Sequence, residues 1–255
     1  MLSYRSVKKN TLIEDTEKLS VQGFCDQILG DQETQQLSGT VECRFDPYID
    51  NGGSCVAIAG NDFAVVVADT RLSKLYRIAS RSVSKVYELT NTCVLACSGM
   101  YADITALRRM LTAKIKLFEF EHNKTPSINA IAQLLSCVLY SKRFFPYYSF
   151  CLLAGLNEEG KGTVYRYDAV GSFDEYSYGA LGSAGSIISP ILDNQLLSNN
   201  KTSFVQVTDK IEIINIAKDS IASASERDVS TGDFADVVVI DSSGISYSSF
   251  DLRKD

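Results

Sequence analysis

The apolar residues of this chain fall into blocks. Strand-length runs come in pairs, helix-length amphipathic stretches follow in pairs, and the order then repeats. SCVAIA (54–59) and FAVVVAD (63–69), separated by Gly60-Asn61-Asp62, predict two strands joined by a tight turn. CVLACS (93–98) predicts a further buried strand. Ile104, Leu107, Leu111, Ile115 and Phe118 recur every three to four residues, which predicts an amphipathic helix over 101–122. After Thr125-Pro126, Ser127 is positioned to cap a second helix whose apolar stripe is Ile128, Ile131, Leu134, Leu135, Val138 and Leu139. Strands are predicted again at 149–156, 163–168 and 173–180, with turns at 157–160 and 171–172. A second helix pair is expected at 186–195 and 208–227, and strands at 235–241 and 245–251 close the chain. Hairpin strands with helices in blocks indicate an α+β layered fold, not an alternating βαβ one. Two packed sheets flanked by two helical layers would bury every apolar face.

Residues 1–44 differ. They are polar, with DQETQQ at 31–36, and are read as an N-terminal extension or propeptide ahead of one domain at 45–255. The net charge of −6 argues against general nucleic-acid binding, which calls for a basic surface. No apolar run approaches the roughly 20 residues that cross a bilayer, and the first residues contain no signal-type hydrophobic region. The expectation is therefore neither a nucleic-acid nor a membrane partner. Seven cysteines, an odd number, are expected to be reduced. Cys93 and Cys97 lack the second pair that a zinc site needs and read as small buried hydrophobes. With His122 the only histidine, a multi-histidine metal site is impossible and a Ser-His-Asp triad would depend on a residue expected in a solvated loop. No phosphate-loop or dinucleotide fingerprint is present, so neither metal nor cofactor is expected.

The segments FDPYIDNGGSCVAIAGNDFAVVVADTRLS (45–73), YSKRFFPYYSFCLLAGLNEEGKGTVYRYDAVGSF (140–173), SPILDNQL (189–196) and SERDVSTGD (225–233) closely resemble the proteasome beta-subunit family. Within it they are most like the non-catalytic subgroup at the sixth position of the beta ring. The resemblance runs from about residue 45 to the end. It implies the N-terminal nucleophile hydrolase fold, a four-layer αββα sandwich. It also implies a place in a seven-subunit ring within a four-ring, 28-subunit core particle. The partners would be other beta subunits of the same and opposite ring (the fifth and seventh positions as neighbours) and alpha-ring subunits. The implied process is ATP- and ubiquitin-dependent protein degradation in cytoplasm and nucleus.

Active members of that family attack with the hydroxyl of an N-terminal threonine and use its own amine as base, the Thr–amine form of an activated nucleophile. Ala68-Asp69-Thr70-Arg71 matches the family's strand-end motif, which puts Asp69 at the orienting aspartate and the nucleophile position on Gly53. Lys85 stands where the family lysine is expected. Asp228 matches the second aspartate, Thr231 falls where active members usually carry serine, and Ser183 or Ser186 resembles the remaining site serine. The resemblance thus implies a degenerate site, because glycine carries no hydroxyl for attack or for self-cleavage ahead of it. Ser54 and Cys55 are the alternative nucleophiles. The strand pleat turns Ser54 away from Lys85 and returns Cys55 to the side of position 53, about 6–7 Å along the strand. Arg143-Phe144-Phe145-Pro146-Tyr147-Tyr148 concentrates four aromatics, for which core packing and interface anchoring both fit.

Overall fold

The computed structural model describes residues 46–197 and 209–254. The extension expected over 1–44 and the start of the helix expected at Thr208 lie outside the described residues. Two antiparallel five-stranded sheets form the centre. The first joins β1 (Ser54–Ala59), β2 (Phe63–Asp69), β10 (Tyr178–Gly182), β11 (Phe234–Asp241) and β12 (Gly244–Asp251) in the order β10-β1-β2-β11-β12. The second joins β5 (Val86–Thr90), β6 (Cys93–Gly99), β7 (Ser149–Leu156), β8 (Gly162–Tyr167) and β9 (Phe173–Tyr176) in sequence order. A separate hairpin pairs β3 (Leu72–Lys74) with β4 (Arg77–Ser80).

Among the described residues, four helices flank the sheets. Val56, Val65, Val67 and Val237 of the first sheet pack against Ile188 and Leu192 of α3 (Gly185–Leu196) and Ile213, Ala217 and Ile221 of α4 (Lys210–Ser225). Leu95, Cys97, Cys151 and Leu153 of the second sheet pack against Leu107 and Leu111 of α1 (Tyr101–His122) and Ile131 and Leu135 of α2 (Ile128–Tyr140). Between the sheets many of the facing residues are small, among them Ala57, Ala64, Val66, Ala68, Val94, Ala96, Ala154 and Val164, with Leu152, Leu156, Leu181 and Ile240 filling the wider gaps. Short side chains here let two pleated surfaces meet directly. The result is the expected αββα sandwich. With helices on one face and a sheet on the other, β1, β2 and β6 are buried along their whole length, which explains why they read as continuous apolar runs instead of alternating ones.

Local signals behave as chemistry requires. Gly60 N–H donates to Phe63 O (2.7 Å) in the β1–β2 turn. The Ser127 hydroxyl accepts from Ala130 N–H at the start of α2, and Asp209 accepts from Ile211 N–H at the start of α4. His122 ends α1 instead of sitting in a loop, exposed, with its ring stacked on Phe118. The predicted strand 173–180 is two strands. It breaks at Ser177, with β9 pairing β8 in one sheet and β10 pairing β1 in the other. The half-exposed β3–β4 hairpin and β5 had no apolar run to announce them. The aromatic run divides as well. Phe145 and Tyr148 pack on Tyr48, whose hydroxyl donates to Pro146 O (2.7 Å), while Phe144 is 93% exposed.

Candidate functional site

Position 53 lies immediately before β1, at the edge of the inter-sheet layer. Gly53 has φ +87°, a conformation that side-chain-bearing residues rarely adopt. Its carbonyl accepts from Ser98 Oγ (3.0 Å) and Ser183 N–H (3.1 Å). Gly182 makes that approach possible, since a Cβ there would overlap the Gly53 oxygen.

Lys85 immediately precedes β5 and projects its ammonium into the same space. Its Nζ donates to Asp69 Oδ1 (2.7 Å), Arg71 O (2.6 Å) and Asp69 O (3.2 Å), which uses all three of its protons. Asp69, the last residue of β2, also accepts from Ser54 N–H (2.8 Å) on Oδ1, and from Arg71 N–H (3.2 Å) and Gly232 N–H (3.3 Å) on Oδ2. Both charged side chains are buried. Burial pushes the Asp69 carboxyl above its ordinary value, opposed by Lys85 and the two amides of Ser54 and Gly232. A Cβ added to Gly53 would overlap Lys85 Nζ and Cε and lie 2.8 Å from Asp69 Oδ1. The ammonium thus occupies the volume that a side chain at 53 would fill.

A second cluster adjoins this pair. Asp228 Oδ2 accepts from Ser183 Oγ (2.5 Å) and Thr231 Oγ1 (2.6 Å). Thr231 Oγ1 in turn bonds Ser54 Oγ (2.9 Å), which accepts from Ala184 N–H (3.0 Å). Of the two serine candidates, Ser183 joins the cluster; Ser186, on the first turn of α3, lines a neighbouring cleft of about 440 Å3 with Ser98, Tyr148 and Arg166. Gly53, Asp69 and Lys85 are not among the walls of that cleft.

The Ser54 hydroxyl turns toward Thr231, not Lys85, as the pleat predicts, and the residue is fully buried. Its oxygen is committed to Thr231 and Ala184, and its amide to Asp69. Cys55 points between the sheets, where burial pushes its thiol up to about 12 despite the nearby Lys85 charge. Neither presents an activated nucleophile to a substrate. Among the described residues no group of three or more His, Cys, Asp or Glu could hold a metal ion.

Sequence reasoning gave no role to Arg71 and Asp233. Arg71 is buried, donates from Nε to Asp233 Oδ2 (2.8 Å), and reaches Val229 O (2.9 Å) and Arg253 O (3.0 Å) with its two other nitrogens. Arg81 also pairs with Asp233. Asp233 N–H donates to Arg253 O (2.8 Å), and Leu252 N–H returns to Asp233 O (3.0 Å). Together these bonds fasten the chain after β12 to the loop that carries Asp228 and Thr231. Arg71 lies inside the strand-end motif, which was the only available signal.

A family profile described as "Proteasome subunit" matches residues 49–240. The proteasome subunit beta type-1 of Dictyostelium discoideum is 46% identical over 216 residues, covering 83% of this chain and 91% of that protein. That of Arabidopsis thaliana is 47% identical over 217 residues, covering 83% and 97%. The proteasome subunit beta type-6 of Saccharomyces cerevisiae is 37% identical over 240 residues, covering 89% and 99%. Identity of this extent, over a sandwich whose two sheets bring Gly53, Asp69 and Lys85 together, places the chain: it belongs to the proteasome subunit family.

Proposed function

We propose that this chain is a non-catalytic structural subunit of the beta ring of the 20S proteasome core particle, at the beta type-1 position. It shapes the wall of the proteolytic chamber and takes part in ring assembly, within ATP- and ubiquitin-dependent degradation in cytoplasm and nucleus. One observation carries the reading: the nucleophile position is a glycine whose side-chain volume is filled by the Lys85 ammonium. Glycine offers no oxygen to a peptide carbonyl, and the buried Ser54 and Cys55 cannot reach one. The Asp69–Lys85 pair then acts in packing. A buried ammonium without partners would be costly, and Asp69 and the carbonyl of Arg71 supply them.

Exposed apolar groups support the assembly part. Phe144, Leu75 and Tyr76 (the last two at the tip of the β3–β4 hairpin) project into solvent from the isolated chain. Groups of this kind are what an obligate interface buries. The partners under this reading are beta subunits of the same and opposite ring and subunits of the alpha ring, in a 28-subunit particle.

The experiment is covalent labelling of the native particle with a peptide epoxyketone, followed by mass measurement of each subunit. This chain should stay unmodified while catalytic subunits of the same particle gain the probe mass. An adduct on Ser54 or Cys55 would overturn the reading. Migration of the native protein as a monomer would remove the ring.

A further inference from the structure

A second group of nucleophilic side chains lies away from the degenerate site. Cys97 on β6 and Cys151 on β7 are direct partners in the antiparallel ladder. Met100 N–H donates to Tyr148 O (2.8 Å) and Leu156 N–H to Thr92 O (3.0 Å), so 100/148 and 92/156 are hydrogen-bonded pairs. Hydrogen-bonded and non-hydrogen-bonded pairs alternate along such a ladder. Counting in steps of one, Cys97/Cys151 is a non-hydrogen-bonded pair. Cα atoms of that kind of pair stand about 4.5 Å apart with side chains at their closest, inside the roughly 4.4–6.8 Å span of disulfides.

The two sulfurs are 3.5 Å apart, and both side chains are fully buried under α1 and α2. No other described cysteine shares this placement. Cys93 lies on the same face opposite Gly155, Cys55 points between the sheets and donates to Cys97 O, and Cys137 is exposed on α2.

We propose that Cys97 and Cys151 are a redox-active pair that hydrogen peroxide converts into an intramolecular disulfide. Cys151 is the attacking sulfur. Its sulfur lies within hydrogen-bond distance of both the Cys97 sulfur (3.5 Å) and the buried Ser149 hydroxyl (3.4 Å), two groups placed to support a thiolate. The Cys151 sulfur attacks one peroxide oxygen; the O–O bond breaks, one water leaves, and the sulfur becomes a sulfenic acid. The Cys97 sulfur then attacks Cys151, the S–O bond breaks, and the second water leaves with the Cys97 proton. Two thiols are oxidised by two electrons, and one peroxide is reduced to two waters. Because both sulfurs are sealed in the core, the rate follows local opening of the helical layer. The bond would staple β6 to β7 next to Ser98, which holds the Gly53 carbonyl.

The test exposes the full chain in its native assembly to hydrogen peroxide, alkylates free thiols in denaturant, and maps tryptic peptides without reductant. The expected product is peptide 86–108 linked to peptide 144–161, two hydrogen masses below their sum. Fragmentation should place the link on Cys97, not on Cys93 in the same peptide. Cys97→Ser and Cys151→Ser should each abolish the link and leave oxidation of Cys137 unchanged. Full alkylation of Cys97 and Cys151 after a dose that oxidises Cys137 would overturn the proposal, as would a link through Cys93. If the serine variants fail to accumulate, the map of the unmodified chain decides alone.

Discussion

Two carboxylates, Asp69 and Asp233, are both closed off from solvent beside the same loop, and their surroundings drive them in opposite directions. Asp69 faces one cation, Lys85; burial outweighs that charge, and the carboxyl sits above its ordinary value. At Asp233 burial also pushes upward, but the hydrogen bonds and charges of Arg71 and Arg81 outweigh it and hold the carboxyl below its ordinary value. One buried pair is thus nearly balanced, while the other is a clamp. The difference follows from depth and donor geometry: Asp69 lies deeper in the fold, so burial weighs more heavily on it. The Lys85 ammonium spends two of its three protons on backbone carbonyls, whereas two guanidinium groups converge on both oxygens of Asp233. The balanced pair borders Gly53, the residue proposed above to stand at the nucleophile position. The clamp fastens the end of the chain to the loop behind it.

The widest separation between the two should come from Arg71→Met. It leaves Asp233 with only the half-exposed Arg81 and strips Val229 O and Arg253 O of a donor, so a loss of about 3–5 kcal/mol is expected in urea unfolding of the purified chain. A loss under about 1 kcal/mol, the size of a surface ion pair, would break the comparison.

Lys85→Met should cost less, roughly 2–3 kcal/mol, because the Asp69 carboxylate keeps the amide donors of Ser54, Arg71 and Gly232. Adding Asp69→Asn should recover part of that loss. Unchanged stability and assembly in the single variant would tell against any packing role for the pair.

Gly53→Thr sharpens the contrast from the other side. It restores a hydroxyl, yet its Cβ meets Lys85 at a backbone φ of +87°, so about 1–3 kcal/mol of strain is expected. The covalent probe should still leave the chain unlabelled. Labelling would mean that the Lys85 ammonium yields the space readily.

The smallest effect belongs to Arg81→Ala. A carboxyl held below its unfolded value contributes stability that is complete above that value, about 3.9 for Asp, and is lost as pH falls through the folded one. Removing the half-exposed Arg81 raises the folded value of Asp233 toward ordinary, so the acid-unfolding midpoint should move to higher pH at a cost near 1 kcal/mol or less. A midpoint that moves down would invert the assignment of the clamp.

Much of the fold was legible before any coordinates. The stripe Ile104, Leu107, Leu111 and Ile115 is buried under α1, and the largely apolar runs at 54–59 and 63–69 became strands covered on both faces. The segment at 173–180 was not legible in this way, because its alternation is the same whether it pairs with one sheet or crosses to another at Ser177. The β3–β4 hairpin escaped for a related reason: most of its residues are exposed, so no apolar period marks it.

At the site, the match of Ala68-Asp69-Thr70-Arg71 to the family's strand-end motif implied a nucleophile position sixteen residues before Asp69, on Gly53, and the absence of a side chain at residue 53 is a property of the sequence alone. Only the tertiary structure decided what fills that absence. Lys85 is held at the space by the bond from Cys97 N–H to its carbonyl (3.1 Å), which continues the register of β5 against β6, and Arg71 meets Asp233 across 162 positions. Periodicity encodes which face of a segment is buried, because that depends on backbone repeat and side-chain polarity. Which distant atoms then meet depends on sheet register and packing between layers, and no local pattern carries that information.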